Sequence, residues 1–190
     1  MRYLPVPVAL LAAAILGLTL GSTTATTPSG PCEALSAGMM DMSFDDFDQG
    51  PDGWRRLHDS LACSDHAAPA IAAFRHAHRA GLTENQTALL VWHEGQVRAL
   101  MDQVPEAVTL FRSSEWSGEP EWGRLYREAT IAFLARDKVA LEGARAELAV
   151  LPSAPGVFEQ PPNLDVVDGL IRCFDQPYAI AYACRNPEED

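Results

Sequence analysis

The sequence has little that indicates β-structure. No segment of the 190-residue chain alternates apolar and polar residues over a useful length, as half-buried strands do. Apolar residues recur instead at helical spacing, which predicts stripes that face a core. These stripes are Trp122, Leu125, Tyr126, Ala129 and Phe133, and then Leu141, Ala144, Leu148 and Leu151. We therefore expect an all-α fold.

Several motifs of enzymes and metal proteins are also missing. No CxxC is present, which excludes a redox pair or zinc ribbon of that type, and neither GxSxG nor a glycine-rich phosphate loop occurs. His93 and Glu94 resemble the start of HExxH, but Val97 stands where the second histidine is required. We predict no catalytic residue, no bound metal and no cofactor, and we expect His93 and Glu94 to face solvent or a groove.

Positive charge is scarce. The chain has 14 Lys and Arg residues against 26 Asp and Glu residues, for a formal net charge of −12, and Lys138 is its one lysine. Such a surface repels phosphate backbones and anionic headgroups. Nucleic acid and membrane surfaces are therefore poor candidate partners.

The first 25 residues read as a secretory signal. Arg2 is followed by an apolar run from Leu4 to Leu20 and then by small residues up to Ala25. An uncleaved anchor is the alternative, although the run is slightly short for the ~20 residues of a bilayer span. We expect an exported protein, periplasmic or extracellular, that leaves the membrane when the signal is cleaved.

Four cysteines follow the signal, which in an exported chain favours two disulfides. Three connectivities are possible, and we favour the sequence-local pairs, Cys32 with Cys63 and Cys173 with Cys184. The second pair requires the last helix to end early and fold back, because bonded Cα atoms lie only ~4.4–6.8 Å apart.

Breakers divide the chain into segments. Residues 26–53 form an acidic, partly irregular N-terminal segment, and residues 54–152 contain helical pairs separated by turn residues. Residues 153–162 are rich in proline and predict a linker, and 163–185 predict two capping helices opened by Asn163 and Pro177. Residues 186–190 form an acidic tail.

A pattern of small and large residues recurs in the second helix of each pair. The first copy of the pattern is Ala70, Ile71 and Phe74, and the second copy, Ala107, Val108 and Phe111, follows 37 residues later. The third copy, Ala140, Leu141 and Ala144, follows the second after 33 residues. A period in this range, built of paired helices, is typical of a solenoid.

The pattern resembles the tetratricopeptide repeat family. The middle repeat matches at Trp92, Gly95, Ala107 and Phe111, the first at Trp54, Leu57, Ala70 and Phe74, and the third at Leu125, Ala140 and Pro152. Glu128 departs from the pattern, because the third repeat should have a small residue there. The resemblance implies a right-handed stack of about three helix pairs, followed by a C-terminal helical hairpin.

The same resemblance implies a function and a site. Members of the family bind a protein or peptide partner in a groove lined by the first helix of each pair. That groove would contain Trp92 and Gln96, joined by Arg55, Asp59 and Leu125.

The alternative is a metal-binding protein or a small envelope enzyme that uses the acidic, histidine-containing N-terminal half. Methionines 39, 40 and 42 with His76 and His78 suggest copper, although methionines of this kind usually pack under a loop. Residues 48–59 partly match a calcium loop. Asp165 and Asp168, three apart on one helix, could form an acid/base pair.

Overall fold

The computed structural model describes residues 30–153 and 160–185, and these residues form α-helices and short 3-10 turns without a strand. The all-α prediction is confirmed for this part of the chain. The helices are α1 (Pro31–Gly38), α2 (Phe44–Asp48), α3 (Trp54–His58), α4 (Ala67–Ala77), α5 (Glu84–Leu100), α6 (Val104–Ser113), α7 (Glu121–Leu134), α8 (Lys138–Ala149), α9 (Leu164–Arg172) and α10 (Tyr178–Tyr182). None is long and apolar enough to cross a membrane.

The N-terminal segment is more ordered than the sequence suggested. Two helices and a 3-10 turn occupy most of residues 31–48, and Ser43 caps α2 by accepting a hydrogen bond from the Asp46 backbone N–H. Phe47 is completely buried and stacks on Phe74 of α4, with ring centroids 3.9 Å apart. This segment is thus part of the core and not a flexible extension of it.

The middle helical hairpin, α5 with α6, has the small-to-large contact that the repeat pattern predicted. A Cβ atom on Gly95 would lie 2.8 Å from Cε1 of Phe111, which is closer than real Cβ contacts. Only glycine therefore allows α6 to approach α5 with the Phe111 ring between them. A Thr83 and Gln86 capping box fixes where α5 begins.

The outer pairs match the repeat pattern less well. In the first pair α3 has only 5 residues, because the turn at Asp59 and Ser60 interrupts it. In the third pair Ala140 is exposed, whereas Leu141, Ala144 and Leu148 are buried. The assignment of Ala140 to a packed position is wrong, since α8 turns a neighbouring stripe toward α7.

The C-terminal helices return across the stack. Helix α9 packs on α7 and α8, and α10 packs on both α9 and α5. Asn163 precedes α9 as expected, but it has a φ of 64° and its side chain makes no cap hydrogen bond. Helix α10 ends at Tyr182 and the chain turns back, as the predicted Cys173–Cys184 bond requires.

Both predicted disulfides are present. The Cα atoms of Cys32 and Cys63 are 5.4 Å apart, and those of Cys173 and Cys184 are 6.3 Å apart. The first bond ties α1 to the turn before α4, and the second ties the end of α9 to the end of α10. The predicted signal (1–25), most of the linker (153–162) and the tail (186–190) lie outside the described residues.

Buried side chains form two hydrophobic clusters. One joins the N-terminal segment to α3 and α4 and includes Leu90 and Val97 of α5. The other includes Ala99 of α5 and extends through α6–α10, with Trp92 packed against it. Helix α5 is thus shared by both clusters, and the candidate site lies along it.

Candidate functional site

A cavity of about 310 Å³ opens beside α5, and aromatic rings from three parts of the chain form much of its wall. The rings are those of Trp92, Trp116, Trp122, Tyr126 and Tyr182. Pockets of this size, with mostly apolar walls and a few polar groups, are typical of ligand sites. We call this space the main cavity.

Arg55, His93 and Gln96 place polar groups on the same cavity. The Arg55 guanidinium lies 4.3 Å from the centroid of the Trp54 ring and donates to the backbone oxygen of Asp48. Stacking on the ring and this hydrogen bond hold the guanidinium in one orientation while its remaining N–H groups stay available. The cavity therefore combines aromatic surface with one oriented cation.

A second cavity of about 250 Å³ lies next to the first. It shares Arg55, Gln96 and Tyr182 with the main cavity, so these three side chains form a ridge between the two spaces. Its own wall includes Trp54, His58, Asp59, Val97, Leu100 and Tyr178. All four tryptophans of the chain thus line one of the two cavities.

Four of the five predicted groove residues lie on these cavities. Trp92, Gln96 and Arg55 line the main cavity, and Arg55, Gln96 and Asp59 line the second. Leu125 does not, because its side chain is 1% exposed and packs in the hydrophobic core. The prediction for Leu125 is wrong: one turn of α7 faces the cavity with Trp122 and Tyr126, and Leu125 points into the core.

Trp92 is held in place by two aromatic neighbours. Its ring centroid lies 4.5 Å from that of Phe111 and 5.1 Å from that of Tyr126. Trp122, which the helical stripe assigned to the core, is 38% exposed and lies at the cavity wall. Trp92 is therefore held between two rings, whereas Trp122 stays partly exposed at the cavity wall.

Three tyrosines and Gln96 meet between the two cavities. Gln96 Nε2 donates to the Tyr126 hydroxyl at 3.3 Å. Burial raises the pKa of the phenols of Tyr126 and Tyr178 well above the ordinary value, so both hydroxyls keep their protons. The buried Tyr178 hydroxyl lies against Gln96 and Tyr126, and His58 Nδ1 is buried without a hydrogen-bond partner among the described residues.

Asp48 connects the N-terminal segment to the cavity. Its carboxylate is completely buried and accepts from His93 Nδ1 at 2.6 Å and from the Trp54 indole N–H at 3.1 Å. Burial alone would raise the pKa of the Asp48 carboxyl, but hydrogen bonds from His93, Trp54 and Gln49 outweigh it and lower that pKa. An ionised Asp48 therefore fixes the His93 ring from behind.

His93 and Glu94 are buried, at 8% and 4% exposure, so neither faces solvent; the expectation of solvent or groove exposure is wrong for Glu94, whereas His93 does line the main cavity. The reason is that each has a partner: Asp48 holds His93, and two arginines hold Glu94. Arg75 of α4 donates to Glu94 Oε2 at 2.8 Å, and Arg98 donates to Oε1 at 3.0 and 3.1 Å. Of the pair, only the His93 ring also contacts the main cavity.

Glu119 adds a carboxylate to the cavity wall, but its charge is already neutralised. Arg127 donates to both of its oxygens, at 3.2 and 2.6 Å. Both side chains are less than one-tenth exposed. The pair fixes the segment before α7, which also contributes Trp116 to the cavity.

Several of the residues considered for metal binding or catalysis have other partners in the structure. Met39 is buried in the N-terminal core, and His78 makes a 2.8 Å hydrogen bond with the Met40 backbone oxygen. The described residues contain no group of three or more His, Cys, Asp or Glu side chains arranged to hold a metal ion. Asp168 is paired with Arg145, and Asp165 with Arg185, so each carboxylate has its own cationic partner.

Several cavity residues could not be found from the sequence. Trp116 lies in a turn outside any helical period, and Tyr178 and Tyr182 belong to a helix that was expected only to cap the stack. Nothing local places α10 against α5, because that contact depends on how the whole C-terminal segment folds back. No family model, curated protein or solved structure matches the chain.

Proposed function

We propose that this chain is an exported, tetratricopeptide-repeat-like interaction module that binds an extended segment of a peptide or protein partner. The observation that carries the proposal is the pair of adjacent cavities, with all four tryptophans on their walls. Trp92, Gln96 and Arg55 were selected from the repeat pattern, and their placement on one cavity supports a right-handed stack with its groove on this side.

The chemistry of the walls suits a peptide. Aromatic rings supply large apolar contact area at low conformational cost, and tryptophan, tyrosine and arginine dominate binding energy at interfaces. Gln96 and the tyrosine hydroxyls can hydrogen-bond to a backbone that lies along the ridge. A peptide therefore finds both apolar pockets and backbone partners here.

The export proposal is supported by the two disulfides as well as by the N-terminal signal pattern. Such bonds persist in oxidising compartments and are rare in the cytosol. The net charge of −12 further favours a neutral or cationic partner over a polyanion.

The test uses a random pool of nonapeptides, acetylated and amidated at their ends and free of tryptophan and tyrosine. Because every tryptophan of the protein lines a cavity, intrinsic fluorescence reports binding directly. We expect a saturable change with the wild-type protein. Absence of any saturable change up to millimolar total peptide would contradict the proposal.

The matched variants are Trp122→Ala and Leu61→Ala. Trp122 is 38% exposed at the main cavity, and Leu61 is fully exposed away from both cavities. Loss of a hot-spot tryptophan costs about 2 kcal/mol or more, which is about 30-fold in affinity. We expect that loss for Trp122→Ala and wild-type affinity for Leu61→Ala; equal affinities would remove the cavity from the binding site.

A further inference from the structure

The two disulfides lie in different surroundings. Cys32 and Cys63 are both buried and belong to the hydrophobic cluster of the N-terminal segment, α3 and α4. Cys173 is half-buried and packs against the edge of the other cluster, and Cys184 is half-buried and lies outside both. A thiol reagent must reach a sulfur atom before it can reduce the bond, so the Cys173–Cys184 bond is the more accessible of the two.

The Cys173–Cys184 bond holds a helix that is too short to be stable alone. Helix α10 has 5 residues, whereas an isolated helix in water is marginal even at about 12 residues. The disulfide joins the residue that follows α9 to the residue two positions beyond α10. It therefore fixes the end of α10 against α9.

Two further contacts hold this end of α10, and both are at the surface. Arg172 donates to the backbone oxygen of Cys184 at 2.7 Å, and Arg185 pairs with Asp165 at 3.3 Å. Partly exposed pairs of this kind contribute little to stability. Without the disulfide, α10 is held mainly by the burial of Tyr178 and by its neighbour on the same face, Ala181.

Helix α10 forms part of the wall of both cavities. Tyr182 lines the main cavity and the second cavity, and Tyr178 lines the second. The centroids of these two rings are 5.6 Å apart, and the Tyr178 ring lies 5.9 Å from that of Phe133. Movement of α10 away from α5 would therefore open both cavities on the same side.

We infer that the Cys173–Cys184 disulfide is a redox switch. In the oxidised protein it holds α10 against α5 and completes both cavities, and its reduction by a dithiol releases α10 and opens them. The Cys32–Cys63 bond stays intact under the same conditions and keeps the N-terminal segment in the core. The inference concerns the shape of the cavities, so it does not depend on which ligand binds there.

Reduction transfers two electrons from the dithiol to the disulfide. A thiolate of the dithiol attacks Sγ of Cys184, so a mixed disulfide forms and Cys173 leaves as a thiolate. The second thiolate of the dithiol then attacks its own partner sulfur in the mixed disulfide and releases Cys184. The dithiol becomes an internal disulfide, and the two protons that it lost are taken up by the two cysteines.

The first experiment measures which bond is reduced. The oxidised protein is incubated with graded dithiothreitol without denaturant and quenched with N-ethylmaleimide, and mass spectrometry of peptides identifies the modified cysteines. We expect Cys173 and Cys184 to be modified at least about tenfold faster than Cys32 and Cys63. Equal rates, or faster modification of Cys32 and Cys63, overturn the inference.

The second experiment measures whether reduction releases α10. Hydrogen exchange is compared between the oxidised protein and the protein reduced at Cys173–Cys184 alone. We expect the amides of α10 to exchange at least about tenfold faster after reduction, because the crosslink no longer opposes local opening. The amides of α4 should be unchanged and serve as the internal control. Unchanged exchange in α10 shows that the bond does not control this helix and overturns the inference.

Tryptophan fluorescence measures the effect on the cavities, since all four tryptophans line one of them. We expect acrylamide to quench the reduced protein more strongly than the oxidised protein, because Tyr178 and Tyr182 no longer complete the walls. Equal quenching means that the cavities keep their shape, and it also overturns the inference.

Serine variants separate the roles of the two bonds. Serine at both Cys173 and Cys184 should give the faster α10 exchange and the stronger quenching without any reductant. Serine at both Cys32 and Cys63 is the matched control, in which α10 should exchange slowly until dithiothreitol is added. Fast α10 exchange in the folded control before reduction contradicts a specific role of the Cys173–Cys184 bond. Chemical reduction of the wild-type protein provides the same comparison if a variant does not fold.

Discussion

Nδ1 of His93 donates to Oδ1 of Asp48 across 2.6 Å, although the two residues are 45 positions apart in the chain. The contact joins the end of α2 to the middle of α5, and the Trp54 indole N–H completes it from α3. One buried carboxylate thus positions two aromatic side chains that border different cavities. Its removal should be felt both in stability and in the site.

Asp48→Asn is therefore expected to destabilise the fold. An amide cannot accept the charge-assisted bond from His93 as a carboxylate does, and breaking a buried pair costs about 3 kcal/mol. Urea unfolding followed by circular dichroism measures the change. The control is Asp52→Asn in the turn after α2, where the Asp52 side chain is 72% exposed and, among the described residues, pairs with Arg56 alone; equal losses for both variants would contradict the role given to Asp48.

The same carboxylate predicts a pH dependence. The pKa of Asp48 is lowered in the folded state, so its contribution to the free energy of unfolding is fully present above the unfolded pKa of about 4. That contribution is lost as the pH falls through the lower folded pKa. The stability difference between wild type and Asp48→Asn should accordingly shrink on acidification, and a difference independent of pH down to pH 2 would refute the assignment.

Gly95→Ala should destabilise the middle hairpin. The added methyl would lie 2.8 Å from the Phe111 ring, so α6 must move or the ring must turn, at a cost of about 1–3 kcal/mol. Gly143→Ala is the matched control in α8, where the new methyl would have only the backbone of its own helix and its chain neighbours within 4 Å. There the same change should raise the free energy of unfolding by about 0.5–1 kcal/mol. Thermal unfolding should therefore show a lower melting temperature for Gly95→Ala and a higher one for Gly143→Ala.

Removal of either disulfide should cost stability, but only one removal should affect the site. Serine at both Cys173 and Cys184 removes a crosslink between residues 11 positions apart and frees the end of α10. We expect it to lower the free energy of unfolding by about 3 kcal/mol. Serine at both Cys32 and Cys63 removes a crosslink between residues 31 positions apart and should lower the free energy of unfolding by about 3–4 kcal/mol. Peptide affinity should be measured under conditions in which both variants remain folded. It should fall only when the Cys173–Cys184 bond is removed, because α10 carries Tyr178 and Tyr182.

Arg127→Met should be far more costly than Arg124→Met, although both arginines lie on α7. Loss of Arg127 leaves the Glu119 carboxylate buried without its partner, which costs about 3–5 kcal/mol. Arg124 pairs with exposed Glu121 and Glu128, and such pairs contribute about 1 kcal/mol or less. Chemical denaturation measures the free energy of unfolding of both variants. Similar losses for the two would contradict the role given to the buried pair of Arg127 and Glu119.

The sequence was most informative where local spacing decides structure. The helical stripes and the Gly95 and Phe111 pair depend on residues close in sequence, and both sequence-local disulfides were favoured correctly. The third repeat shows the limit of alignment, because Ala140 lies in the first turn of α8 and is exposed, although Leu141 and Ala144 after it are buried.

The site was harder to predict because its residues come from distant segments. The repeat pattern selected Trp92, Gln96 and Arg55, but it also selected Leu125, which faces the core. His93 was expected to face solvent or a groove, and no local signal reveals that the buried Asp48 carboxylate holds its other side. The tyrosines of α10 depend on a chain reversal that the sequence does not determine locally.

Helix α5 belongs to both hydrophobic clusters, through Leu90 and Val97 on one side and Ala99 on the other. Neither half of the molecule can therefore unfold without exposing apolar surface of the same helix, which couples the two halves into one cooperative unit. In native-state hydrogen exchange, the amides at the centre of α5 should open only with the whole molecule. The start of α1 should open first, because α1 packs on α3 and the 3-10 turns and not on α5.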